Sequence, residues 1–264
     1  MHLFQALDHP MKRWLPSTVL IGSFLVAGPG PLAAGEAAPV AGDAITGVIH
    51  AAQTGRATLD RGDDDGNPFA SALVELLGRP SLTVTDLLDQ IVSLTRKKSG
   101  GFQIPDVSGV GGVGGATDWT IKPAGPGSKT LALIVTFSQY TSSSVQGLPG
   151  AERDRVRLSQ AFRSAGFAVE TVANPTTSRL NRLVTRLAAA SRHSDVAVIY
   201  VTGHGFEDQG KVYLAPSDYP FNRRTSPLAD GAIDVADLGK SLKAQQANLV
   251  FFGGCRTRRL APSP

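Results

Sequence analysis

The sequence predicts an α/β protein: a mostly parallel sheet of about six strands, sandwiched between helices. Three observations predict it. Two apolar runs, Asp195 to Thr202 (DVAVIYVT) and Asn248 to Phe252 (NLVFF), are continuous rather than alternating, as in strands covered on both faces. Strand-like runs alternate with amphipathic helical stretches through the second half, which argues for right-handed crossovers and a parallel sheet. Both apolar runs end in glycine-flanked chemistry, Gly203-His204-Gly205 and Gly253-Gly254-Cys255. Open α/β sheets collect their chemistry just past such carboxyl ends.

The elements follow in order. A short apolar segment, Ile45 to Ala52, leads into a polar loop, Asp60 to Asn67. Phe69, Leu73, Leu76 and Leu77 then share one helical face, as do Leu87, Leu88, Ile91 and Leu94. Thr83 or Thr85 suits the start of the second helix, and Lys97 and Lys98 complement the dipole at its end. Gly109 to Gly115 reads as flexible loop, and Trp119 to Ile121 as a short strand closing this half. Residues 123–130 form a linker. The second half opens with strand Leu131 to Thr136. A helix, Ala151 to Ala165, is expected to bury Val156, Phe162 and Ala165, with Gly166 to end it. Strand Phe167 to Val172 follows. The next helix, Thr177 to Ala190, carries a stripe of Leu180, Leu183, Val184 and Leu187. Then come the strand ending at His204, a short strand Val212 to Ala215, a helix Val235 to Gln245, and the strand ending at Cys255.

The chain of 264 residues has a net charge of +4, and its arginines are scattered over helix surfaces. A nucleic-acid partner would require clustered basic residues with interleaved aromatics, and neither is present. Residues 1–37 read as a secretory signal. Met11-Lys12-Arg13 precede an apolar stretch from Leu15 to Ala27, and small residues follow from Ala33 to Ala38. Pro16 interrupts that stretch, and Pro29 and Pro31 close it off. It is also shorter than the roughly 20 residues a bilayer span requires, so no stable membrane anchor is expected. The expected address is periplasmic or secreted.

Cys255 is the only cysteine, so no internal disulfide can form. A neutral thiol is a weak nucleophile; an adjacent imidazole activates it by taking its proton. The same imidazolium can protonate a leaving amine. Glycines beside both residues let the backbone approach a substrate, and the N–H groups of Gly205 and Cys255 are the candidate oxyanion donors. Metal chemistry finds no support. His204 and Cys255 lack metal-spaced companions, and aligning Gly66 with a calcium-loop turn puts Arg61 and Ala72 at ligand positions. The run Gly111 to Gly115 follows no strand, so it is no phosphate loop, and no GxSxG elbow occurs.

Four stretches of the second half resemble the large catalytic subunit of the caspase/metacaspase superfamily (peptidase family C14). They are LIVTFSQY at 133–140, LPGAERD at 148–154, VTGHG at 201–205 and VFFGGCR at 250–256. The resemblance implies a caspase-like α/β/α sandwich. It also implies a cysteine endopeptidase with His204 as general base and Cys255 as nucleophile, acting on peptide or protein substrates. It implies no cofactor; calcium enters only at the level of the family. The stretch VIHAAQTG at 48–55, the acidic loop and NPFASALV at 67–74 resemble the family's small subunit.

The chain therefore looks circularly permuted, with a small-subunit-like part at 43–122, a linker at 123–130 and a large-subunit-like part at 131–264. The order is similar to that of type III metacaspases. The linker can span up to about 27 Å, against about 15 Å for three interstrand gaps. Metacaspases carry an aspartate two residues before the nucleophile, where it helps bind a basic P1 side chain. That position is Gly253 here, leaving Asp60, Asp63, Asp64 and Asp208 as candidate sources of charge. Two other readings stay open: a non-catalytic caspase-like binding or scaffold protein, and a fragment of a tandem caspase-like array.

Overall fold

In the computed structural model, the described residues are 44–62, 66–107, 119–122, 125, 127–222 and 229–258. The expected signal segment, the Gly109–Gly115 loop, Asp63 and Asp64 lie outside them.

The chain runs β1 (Ile45–His50), α1 (Pro68–Leu77), α2 (Val84–Lys98), β2 (Thr130–Thr136), α3 (Pro149–Ser164), β3 (Ala168–Ala173), α4 (Thr177–Ser191), β4 (Val196–Thr202), β5 (Gly205–Asp208), β6 (Lys211–Leu214), β7 (Ile233–Asp234), α5 (Val235–Ser241) and β8 (Ala247–Phe252). The main sheet has five strands among the described residues, in the order β1-β8-β4-β2-β3, and every pairing is parallel. A second, antiparallel sheet follows the order β5-β6-β7. The first strand in sequence thus lies beside the last, and β8 sits between β1 and β4.

Period-two alternation divides the strands between two cores. Ile49, Ile134, Val198, Tyr200, Leu249 and Phe251 face one side, where α1, α2 and α3 add Phe69, Leu73, Leu87, Ile91, Leu158 and Phe162. Val135, Ile199, Val201, Val250 and Phe252 face the other, where α4 and α5 add Leu180, Leu183, Val235 and Leu238. Both faces of β4 and β8 are buried, which is why their sequences show no polar alternation.

Side-chain caps set the helix starts. Asn67 Oδ1 accepts from Phe69 N at 2.8 Å, and Thr83, rather than Thr85, accepts from Asp86 N at 3.1 Å. Gly166 follows α3 with φ of 91°, a conformation that glycine adopts without strain.

The structure corrects several expectations. Among the described residues the main sheet has five strands, where about six were expected, and three more form the separate antiparallel sheet. Trp119 to Ile121 makes no strand; Thr120 contributes one isolated bridge to Thr83. Val156 is 52% exposed, because α3 turns Ala151, Asp154, Leu158 and Phe162 inward and Val156 points about half a turn away. The helix starting at Val235 ends at Ser241 rather than Gln245. The strand β5, directly after His204, had no apolar pattern to announce it.

Candidate active site

β4 and β8 are hydrogen-bonded neighbours, with Val201 opposite Phe252, so the segments leaving them emerge side by side. They open onto a cleft of about 250 Å³ lined by His204, Gly205, Gly253 and Cys255. The same cleft is walled by Ala57, Thr58, Leu59 and Asp60, from the loop after β1. The two sequence-predicted side chains therefore face one space, though no hydrogen bond joins them among the described residues. Tight backbone contact requires the glycines here. A Cβ on Gly205 would lie 2.7 Å from the Cys255 carbonyl oxygen, and one on Gly254 would lie 2.7 Å from that of Gly203.

His204 is held from several sides. Its Nε2 is 2.7 Å from the Gln146 carbonyl oxygen. A carbonyl only accepts, so Nε2 carries the proton and Nδ1 holds the lone pair. The His204 backbone N–H donates to Tyr140 Oη at 2.7 Å. The Tyr140 ring lies 5.0 Å from the imidazole, and Phe221 lies 6.1 Å from it at 80°. Burial lowers the His204 pKa below its ordinary value; the Gln146 carbonyl and the Asp60 carboxylate oppose that shift. Burial likewise raises the Tyr140 pKa, so its hydroxyl stays protonated.

Cys255 Sγ accepts from Thr58 N at 3.3 Å and lies 3.5 Å from Thr58 Oγ1. The Cys255 N–H makes no hydrogen bond among the described residues. Ala215 N donates to His204 O at 2.9 Å, and Glu207 N donates to Thr257 O at 3.0 Å. The antiparallel alternation between them turns the Gly205 N–H toward the chain that carries Cys255.

Among the acids named from sequence, Asp60 lines the cleft, and its Oδ2 accepts from Gly150 N at 2.9 Å near the start of α3. Asp208 sits at the β5–β6 turn and does not line it. Asp154, which the sequence did not single out, also lines the cleft and is 1% exposed. Burial raises its pKa to about 8; the Asn67 amide and Arg157 oppose this, and Asp60 adds to it. Gly253 leaves no room for an acid, because a Cβ there would lie 2.7 Å from Thr202 Oγ1 and 2.9 Å from Tyr200 Oη. No lysine or arginine lines the cleft among the described residues. Nor do those residues contain three His, Cys, Asp or Glu side chains grouped to hold a metal ion, or a helix long and apolar enough to cross a membrane.

Arg256 anchors the segment behind the thiol. It is 6% exposed. Its guanidinium donates to Glu207 Oε2 at 3.0 Å, Asp106 Oδ2 at 2.5 Å and Thr54 Oγ1 at 2.8 Å.

The fold and this site define an α/β protein that presents one thiol and one imidazole at neighbouring ends of parallel strands. The family model for the caspase domain (peptidase family C14) matches residues 129–263, just over half of the chain. The chain belongs to the caspase-domain family, a family of cysteine peptidases. Among solved structures, caspase-1 from Spodoptera frugiperda aligns at 20% identity with a TM-score of 0.36, over 48% of this chain and 47% of that one. The chain thus spans about half the length of that solved structure. No curated protein matches.

Proposed function

We propose that the protein is an exported cysteine endopeptidase in which Cys255 is the nucleophile and His204 the general base. The observation that carries this reading is the shared cleft, with His204, Cys255 and the Gly205 backbone at one rim. The thiol proton passes to Nδ1 of His204, the nitrogen left free by the Nε2–Gln146 bond. The sulfur attacks the scissile carbonyl carbon, and the N–H groups of Gly205 and Cys255 receive the oxyanion. Collapse of the tetrahedral adduct breaks the C–N bond, and the imidazolium protonates the departing amine. Water, deprotonated by His204, then hydrolyses the thioester.

The cleft favours a cationic side chain before the scissile bond. The Asp60 carboxylate lines it, and no lysine or arginine does among the described residues. We assign Asp60 as the charge partner of that side chain, in place of the acid that Gly253 lacks. Residues 43–122 act as the small-subunit-like part; β1 paired with β8, and a cleft wall from Ala57 to Asp60, support that assignment. Export rests on the charged, apolar and small-residue order between Met11 and Ala38.

The test is cleavage of peptides carrying Arg, Lys or Asp at P1 by the purified chain. Cleavage after Arg or Lys that is lost in both Cys255→Ala and His204→Ala is expected. Absence of cleavage across the panel would refute the reading. A second reading, a non-catalytic binding protein, draws support from the missing hydrogen bond between His204 and Cys255. It predicts peptide binding without turnover, unaffected by Cys255→Ala.

A further inference from the structure

We propose that Thr58 is a third catalytic residue, which holds the Cys255 sulfur and stabilises the negative charge that develops on it. The inference rests on Cys255 being the nucleophile. Thr58 reaches the sulfur with two groups, its backbone N–H at 3.3 Å and its hydroxyl at 3.5 Å. Once the thiol proton has left, both can act as donors, and hydrogen bonds to an ionised acceptor are the strong ones. His204 cannot fill this place in the resting state, because its protonated nitrogen is committed to Gln146.

The loop is fastened on both sides of Thr58. Before it, Gly55 N donates to Arg256 O at 3.0 Å, and Arg256 N donates to Arg56 O at 2.9 Å. After it, Leu59 N donates to Gln103 Oε1 at 2.9 Å. Gln103 is fully buried, and its amide nitrogen reaches the Ala51 carbonyl and Asn67 Oδ1 at 3.4 and 3.3 Å. Asn67 in turn donates to the Gly253 carbonyl at 3.1 Å. The donors on sulfur are thus held in place before reaction, the condition under which they lower a barrier without reorganising. They come from outside residues 129–263, the span that matches the family model.

Because the sequence holds one cysteine, iodoacetamide alkylation of the intact chain reads this sulfur alone and requires no peptide substrate. Thr58→Val removes the hydroxyl and nearly preserves shape; Thr58→Ser restores it. Alkylation about tenfold slower in Thr58→Val, with Thr58→Ser close to the parent, supports the proposal. In a peptide assay, kcat should fall in parallel while KM holds. Unchanged or faster alkylation in Thr58→Val would overturn the proposal, the faster case meaning that Thr58 shields the thiol. Equal slowing in the valine and serine variants would overturn it as well, as a packing effect. Thermal unfolding of each variant controls for folding, and Thr58→Ala repeats the test should Thr58→Val not fold. Alkylation that depends on Thr58 but not on His204 would refute the dyad and leave this proposal standing.

Discussion

Arg256→Met removes a buried guanidinium while keeping an unbranched side chain in its place. Two carboxylates lose their cation. Glu207 is only 11% exposed and cannot rehydrate, whereas Asp106 is 29% exposed and recovers part of its hydration. Thr54 and the Ala52 carbonyl lose donors at 2.8 and 3.4 Å. Breaking a buried ion pair from one side costs about 3–5 kcal/mol, and the exposure of Asp106 argues for the lower end, about 3 kcal/mol. That is a large share of a typical domain stability of roughly 5–15 kcal/mol. It corresponds to a fall in Tm of roughly 6–12 °C for a chain of this size. Urea unfolding of the parent and variant at pH 7 measures it. Adding Glu207→Gln should recover part of the loss, since the orphaned carboxylate is then gone. A loss below about 0.5 kcal/mol would refute the reasoning, as would a double variant no more stable than Arg256→Met.

Other outcomes follow from the same contacts. Asp154 has its pKa raised to about 8 when folded, so the folded state retains a proton that the unfolded chain releases. Its contribution to stability is present below about pH 4 and is lost as pH rises toward 8, by at most about 1.4 kcal/mol per pH unit. Asp154→Asn should flatten the stability profile between about pH 6.5 and 8, above the range in which His50 contributes, and an unflattened profile would count against the burial argument. His50 is lowered to about 4, by burial first and Arg256 second. The His50 contribution therefore falls as pH drops from 6.5 toward 4, opposing that of Asp154 over this window, and His50→Leu should leave stability rising more steeply on acidification there than in the parent, as acid-titration unfolding reads. Gly253→Ala pushes a methyl group against Thr202 on a fully buried strand, a cost of about 1–3 kcal/mol by thermal unfolding; a neutral result would mean that Thr202 yields freely. Tyr140→Phe deletes the hydroxyl that accepts from the His204 backbone while keeping the ring beside it. It should lower kcat about threefold to tenfold with little change in KM, and a larger effect on KM than on kcat would show that Tyr140 acts on substrate instead.

The strands and most helices were legible because burial imposes a period on the sequence. β4 and β8 lie inside the sheet with helices above and below, so their runs are apolar throughout. α1, α2 and α4 each cover one side, so their stripes could be counted. Val156 misled because it is apolar yet stands about half a turn from the buried face, which is set by what packs on it: Ala151, Leu158 and Phe162 meet the sheet core. Trp119 to Ile121 has strand composition but reaches only one partner residue, and strand formation depends on that partner as much as on composition. β5 escaped notice for the converse reason, since its pairing with β6 supplies an order that four residues of mixed polarity do not advertise.

The rim of the cleft divides along a different line. His204 and Cys255 stand out because imidazole and thiol are rare and sit beside glycines. The groups that hold them leave no such trace. Gln146 acts through its carbonyl and Thr58 through its amide as well as its hydroxyl, and every residue type but proline carries both backbone groups. Gln103 and Asn67 are ordinary polar residues until burial forces them to satisfy each other, Leu59 and the Gly253 carbonyl. Asp154 is the sharpest case. On a helical wheel it is one more charge on a polar helix, and only the packing of α3 against α1 puts it under the cleft, where losing its proton costs the most. The place of the candidate site is thus legible in two side chains, while the contacts that hold them lie in backbone groups and buried polar residues that only the folded arrangement assigns.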